Sequence, residues 1–160
     1  MNISSIIKIY CIVFIVCLFM VTTYGQTEVG ASWYFTLSNP DLSKGEENNL
    51  IISVDLPEDW GIYSSDFVSA SFGPEPTRFS FEVNDSVKLM DRVRAVNATA
   101  LEDPALDLHY TYFIGKAEFR QCIIVKSSHA SIQGFIKGKY FHRTSGRTID
   151  FEKPFDLKFE

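Results

Sequence analysis

Short runs of alternating apolar and polar positions dominate the chain from residue 32 onward, and the three-to-four-residue spacing of an amphipathic helix is nearly absent. The run Arg78-Phe79-Ser80-Phe81-Glu82-Val83 is the cleanest case. It sets Phe79, Phe81 and Val83 on one face and Ser80 and Glu82 on the other, as a strand with one buried face requires. The same pattern predicts strands over residues 32–37, 50–56, 61–64, 78–83, 88–93, 109–113, 116–125, 131–141 and 149–159. Turn chemistry separates them: Asn39-Pro40-Asp41, Lys44-Gly45, Pro57-Glu58-Asp59, Gly73-Pro74, Asn84-Asp85-Ser86 and Ser145-Gly146. Residues 97–108 hold Glu102, Asp103, Pro104 and Asp107 and are expected to form a surface loop. Many short strands at this spacing imply an all-β fold, an immunoglobulin-like antiparallel β-sandwich. The 14 Phe and 7 Tyr suit a core between two sheets.

The first 25 residues break the pattern. Lys8 is their only charge, an apolar run follows, and the segment ends on Val21-Thr22-Thr23-Tyr24-Gly25, which reads as a signal peptide cleaved after Gly25. A retained membrane anchor is the rival reading, because the apolar run nearly reaches bilayer length. Cleavage leaves residues 26–160 as a single domain in the periplasm or secreted, with no membrane insertion. Of the 15 Lys and Arg only Lys8 falls in the leader, so the remainder carries 14 against 20 Asp and Glu. A net charge near −6 argues against nucleic acid or anionic lipid as the main partner of the domain as a whole.

Cys11 and Cys17 lie in the leader, so Cys122 alone remains and no internal disulfide is available to the domain. Within Phe119-Arg120-Gln121-Cys122-Ile123-Ile124-Val125 it is expected as a buried structural thiol; the alternative is a reactive thiol in an exposed, electropositive setting.

Candidate chemistry is sparse. The stretch GKYFHRTSGR, residues 138–147, offers His142 and Ser145, with Asp150 beyond. A Ser-His-Asp hydrolase lacks its nucleophile elbow and oxyanion loop here, and turn polarity explains Ser145-Gly146 more simply. His109, His129 and His142 have no metal-ligand spacing, and Glu102, Asp103 and Asp107 lack the dense alternation of a calcium loop. Trp33-Tyr34-Phe35 can stack on sugar, but strand alternation assigns Trp33 and Phe35 to the core. The sequons Asn84-Asp85-Ser86 and Asn97-Ala98-Thr99 matter only in a host that glycosylates exported proteins.

Residues 58–81, EDWGIYSSDFVSASFGPEPTRFSF, resemble the amino-terminal periplasmic domain of the thiol:disulfide interchange protein DsbD family. Tyr63-Ser64 and Gly73-Pro74-x-Pro76-Thr77 carry the likeness, with Trp60-Gly61 standing in the reverse of the family's Gly-Trp order, and Asp107, Tyr112-Phe113 and Phe119-Arg120-Gln121 extend it in order and spacing. In that family the strand matching residues 132–141 enters a turn with two cysteines, usually followed by Pro-Pro, which relays electrons to periplasmic oxidoreductases. Here His142 to Thr148 contains no cysteine, so the redox role does not carry over, since exchange needs a thiolate and a resolving thiol. If Glu160 closes the protein, the membrane channel and thioredoxin-like domain of the full-length relatives are missing too.

The resemblance therefore implies a non-enzymatic binding or accessory module without cofactor or metal, whose partner is another envelope protein. His142, Arg143 and Arg147 are the expected binding residues, giving the turn a positive character that favours an acidic partner patch. The alternatives are a thiol-disulfide accessory protein acting through Cys122 and a carbohydrate-binding accessory domain, which exposed aromatics on a sheet face would favour.

Overall fold

The computed structural model describes residues 29–40, 44–70, 72–82, 84–104, 108–127 and 129–159. Their ten strands are β1 (Ser32–Leu37), β2 (Glu47–Asp55), β3 (Trp60–Tyr63), β4 (Arg78–Phe81), β5 (Val87–Ala95), β6 (Thr99–Asp103), β7 (Leu108–Ile114), β8 (Lys116–Val125), β9 (Ala130–His142) and β10 (Thr148–Phe159). The leader, with its expected cleavage or anchoring, lies outside the described residues, as do Val83 and Asp107.

The strands form an immunoglobulin-like antiparallel β-sandwich. One sheet runs β1-β2-β8-β5 and the other β10-β9-β3-β7-β6. The 13-residue β9 organises the second sheet. Along one side it pairs with β10 from Thr148↔Phe141 to Phe159↔Ala130. Along its other side it pairs first with β3 (Trp60↔His142) and then with β4 (Arg78↔Lys137).

Alternation fixes which face each strand buries. β2 turns Leu50, Ile52 and Val54 inward, and β8 turns Ala117, Phe119, Ile123 and Val125 inward. Phe119 is fully buried and its ring meets Phe79 of β4 at 4.9 Å and Phe113 of β7 at 5.4 Å, tying the two sheets together. Burying a side chain of this size contributes about 1.5–3 kcal/mol. Trp33 and Phe35 face inward as expected, against Phe151 and Phe155, and the Trp33 indole N–H donates to the Tyr140 hydroxyl at 2.9 Å. Tyr34 points outward and is half exposed. β10, a sheet edge, carries Pro154 and alternating charges, including Glu152 and Asp150 paired with Lys137 and Lys139 of β9; such an edge resists adding another strand.

Two expectations are corrected. Residues 99–103 are not loop but strand β6, in register with β7 from Thr99↔Tyr112 to Asp103↔Leu108. As a charged edge strand with one large apolar residue, Leu101, β6 shows too little alternation to be read locally. Cys122 is not buried; it lies on the outer face of β8 with intermediate exposure. The inward position beside it belongs to Gln121, at 2 % exposure, because inward and outward residues alternate strictly between Phe119 and Val125.

Candidate functional site

The hairpin between β9 and β10 closes through His142 N–H to Arg147 O at 2.8 Å and Gly146 N–H to His142 O at 2.9 Å. Gly146 sits at φ 67°, where a glycine carries no Cβ penalty. Residues 143–148 are all exposed, and among the described residues Arg143 and Arg147 have no ion-pair partner. The Arg143 amide is anchored to Asp59 O at 2.8 Å, which fixes the turn against the β2–β3 connection.

His142, Ser145 and Asp150 do not assemble into a triad. His142 Nδ1 faces the Thr144 hydroxyl at 3.1 Å and accepts from the Ser145 backbone N–H at 3.4 Å. The Ser145 hydroxyl accepts from Arg147 N–H at 3.4 Å, and Asp150 pairs with Lys139 at 3.2 Å. Each polar group serves the turn or the strand edge. The imidazole packs edge-on against Trp60, ring centroids 5.1 Å apart.

Beside the turn, the outer face of the second sheet carries an aromatic cluster that local reading of the sequence did not single out. Phe141 of β9 stacks on Tyr63 of β3 at 4.6 Å, and Tyr112 of β7 meets Phe141 edge-on at 5.8 Å. Tyr110 meets Tyr63 at 5.8 Å and Phe67 at 6.2 Å. Gly61 makes this possible. A Cβ there would stand 2.4 Å from Phe141 Cζ and 2.5 Å from Phe113 O, so the missing side chain lets the Phe141 ring cross β3 to reach Tyr63. The cluster and the turn enclose a cavity of about 240 Å³ lined by Tyr63, Tyr110, Tyr112, Phe141, His142 and Arg143 among others. Burial first, and Tyr110 second, push the Tyr63 phenol above its ordinary pKa. The available signal was the alternation in Tyr110-Thr111-Tyr112-Phe113, which sends both tyrosines to the outer face while Phe113 enters the core.

The residues that carry the resemblance have a shared structural task. Thr77 is buried; its hydroxyl donates to Tyr63 O at 2.5 Å and its N–H to Ser64 O at 2.9 Å. Ser64 is fully buried, hydrogen-bonded to the Thr111 hydroxyl and accepting from Asp66 N–H at 3.2 Å. The stretch from Gly73 to Thr77 is thus a stiff entry to β4 stitched to the end of β3, and it holds Tyr63 in place from behind.

Elsewhere the candidate chemistry disperses. Among the described residues no three His, Cys, Asp or Glu side chains come together as a metal-ligand set. His109 lies 3.8 Å from Glu102, and His129 is exposed in a turn. Asn84 is committed: its Oδ1 accepts from Ser86 N–H at 2.9 Å and its Nδ2 donates to Ser131 O at 2.8 Å, so only Asn97 of the two sequons presents a free, exposed amide.

Cys122 has its thiol pKa raised, first by the partial desolvation of its half-exposed position and then by Glu47 and Asp91, with Arg94 opposing. A redox thiol needs the opposite shift. Alkylation of native Cys122 is therefore expected to have its pH midpoint above that of the unfolded chain, with slow labelling at neutral pH. The unfolded thiol ionises first, so the group lowers stability only as pH rises past the ordinary thiol range. Labelling the Cys122 peptide across pH in buffer and in urea checks this; coincident midpoints would return the thiol to consideration as a reactive group.

No protein-family model matches the chain, and no curated protein matches its sequence.

Proposed function

We propose that this chain is an exported, non-catalytic binding module resembling the DsbD amino-terminal domain without its redox cysteines, and that it recognises an acidic segment of another envelope protein. The observation that supports this reading is the juxtaposition of the tyrosine-lined cavity with Arg143 and Arg147 on the exposed turn. Tyrosine and arginine beside a concave apolar floor make the composition that concentrates binding energy in protein interfaces. Two guanidinium groups with no ion-pair partner among the described residues, on an otherwise acidic domain, select a carboxylate-bearing partner, and the cavity admits an apolar or aromatic side chain from it.

The carbohydrate alternative draws less support. Sugar stacking needs ring faces open to solvent; Tyr63 and Phe141 cover one another, Tyr110 and Tyr112 pack edge-on or tilted against their neighbours, and the half-exposed Tyr34 lies on β1 of the other sheet, apart from this cluster. The Cys122 alternative is disfavoured by the direction of its pKa shift.

Affinity capture from the native envelope tests the proposal, comparing wild type with Arg143→Glu/Arg147→Glu. Reversing two interface charges is expected to weaken capture by at least about tenfold. The unfolding midpoint should not move, because both side chains are exposed and unpaired. Equal capture by the double variant would place the recognition surface elsewhere.

A further inference from the structure

On the opposite sheet, β5 departs from regular pairing with β8. Met90 stands opposite Cys122 and Arg94 opposite Arg120, so Asp91, Arg92 and Val93 together face the single residue Gln121. Asp91 takes φ 57° to make room for the extra residues. The bulge is held from inside by Gln121, whose Nε2 donates to Met90 O at 2.7 Å and Cys122 O at 2.8 Å. Bulges of this kind re-aim side chains near sites of function.

Here the re-aiming is unfavourable in isolation. It sets Arg94 directly across from Arg120 on the outer face, with Arg92 beside them, and like charges in cross-strand register repel. Local carboxylates offset part of this: Glu118 engages Arg120 at 2.7 Å and Asp91 lies 3.5 Å from Arg94. Asp66, whose Oδ2 accepts the Ala95 amide at 2.9 Å, and Glu47, which acts on the Cys122 thiol, add negative charge at the margin. Arg92 has no ion-pair partner among the described residues. The three arginines border a cavity of about 450 Å³ in which Asp91 is the one acid among the lining residues and Asn49 and Asn97 add amide groups. The lining itself thus carries three arginines against one acid, on a chain whose formal net charge is −5.

We infer that the β5 bulge builds an oxyanion-binding site for a phosphate-type group, gripped by Arg92 and Arg94 with Arg120 behind them. Guanidinium forks match tetrahedral oxyanions in bidentate fashion, and the amides of Asn49 and Asn97 are placed to donate to the remaining oxygens. The site is separate from the hairpin and does not depend on the proposed partner there.

Cys122 lines the same cavity and supplies the readout. Iodoacetamide labelling of the Cys122 peptide in the full chain, followed by mass spectrometry, is run at constant ionic strength set with chloride. Inorganic phosphate and pyrophosphate are expected to slow labelling about fivefold or more, saturably in the millimolar range or below. Arg92→Gln, with no ion-pair partner among the described residues to lose, should weaken this protection, and Arg92→Gln/Arg94→Gln should abolish it with little movement of the unfolding midpoint, because the Arg94–Asp91 pair it removes is exposed. Protection by phosphatidylglycerol vesicles, set against phosphatidylcholine, would assign the group to a lipid headgroup; protection by the free anions alone assigns it to a soluble phosphate. No protection by any of these probes, or protection that persists in the double variant, overturns the site.

Discussion

Gly134→Ala is expected to lower the stability of the fold by about 3 kcal/mol or more, a large loss for one added methyl group. A Cβ at this position would stand 2.0 Å from Ser80 O, 3.0 Å from the same carbonyl carbon and 2.9 Å from Phe155 Cζ. The obstruction is backbone, not the far end of a side chain, so relief requires β4 to move off β9. Among the described residues β4 pairs with β9 alone, through Arg78↔Lys137 to Phe81↔Gly134, and it delivers Phe79 onto Phe119 at the centre of the core. Gly138→Ala on the same strand is the control. The nearest atoms to its Cβ would be those of the Phe151 ring and the Thr77 hydroxyl, all at 3.0 Å, farther than Ser80 O and on side chains instead of backbone, so the cost should be smaller, about 1–2 kcal/mol. Urea denaturation of both variants should therefore rank them well apart. Equal midpoints would mean that β4 yields freely and that the close approach is not a constraint.

Gln121→Leu should cost about 2–4 kcal/mol although it places an apolar residue of similar size at a core position. Gln121 is 2 % exposed, and its amide supplies donors to the carbonyls of Met90 and Cys122. Removing the donor leaves those acceptors without it at about 1–3 kcal/mol each, whereas the gain from burying leucine is partly cancelled because the glutamine methylenes are already buried. Ile123→Val, at the next inward position of β8, gives the scale for a pure packing change at about 1 kcal/mol. The Gln121 variant should fall well below it in midpoint. A neutral or stabilising Gln121→Leu would show that water satisfies the bulge and that the amide does not hold β5 in its displaced register.

The site was only partly legible in the chain. Exposure of the 142–148 turn followed from Ser145-Gly146 and its polar neighbours, and the structure leaves Arg143 and Arg147 open there. Tyr63, Tyr110, Tyr112 and Phe141 were not gathered into a site, because they come from three strands and meet only when β9, β3 and β7 lie side by side. Gly61 looked like part of a sequence likeness; its physical task of letting the Phe141 ring cross β3 exists only once Phe113 O and Phe141 are in place.

What the sequence determined by itself was local and periodic. Alternation in runs such as Arg78 to Phe81 and Lys116 to Val125 set the strands and their buried faces, and turn residues set where they end. The two-sheet class followed, because many short half-buried strands have few other ways to cover their apolar faces. What only the tertiary structure decided was everything that depends on a neighbour distant in the chain. β6 became a strand because β7 offers it a partner, not because Thr99 to Asp103 alternate. Gln121 took an inward position that composition would give to Cys122, since the phase of a strand is set by all its residues together and a buried amide is tolerated where a bulge supplies carbonyls to receive it. The opposition of Arg94 and Arg120 likewise came from register, which a bulge shifts without leaving a mark on local hydrophobic pattern.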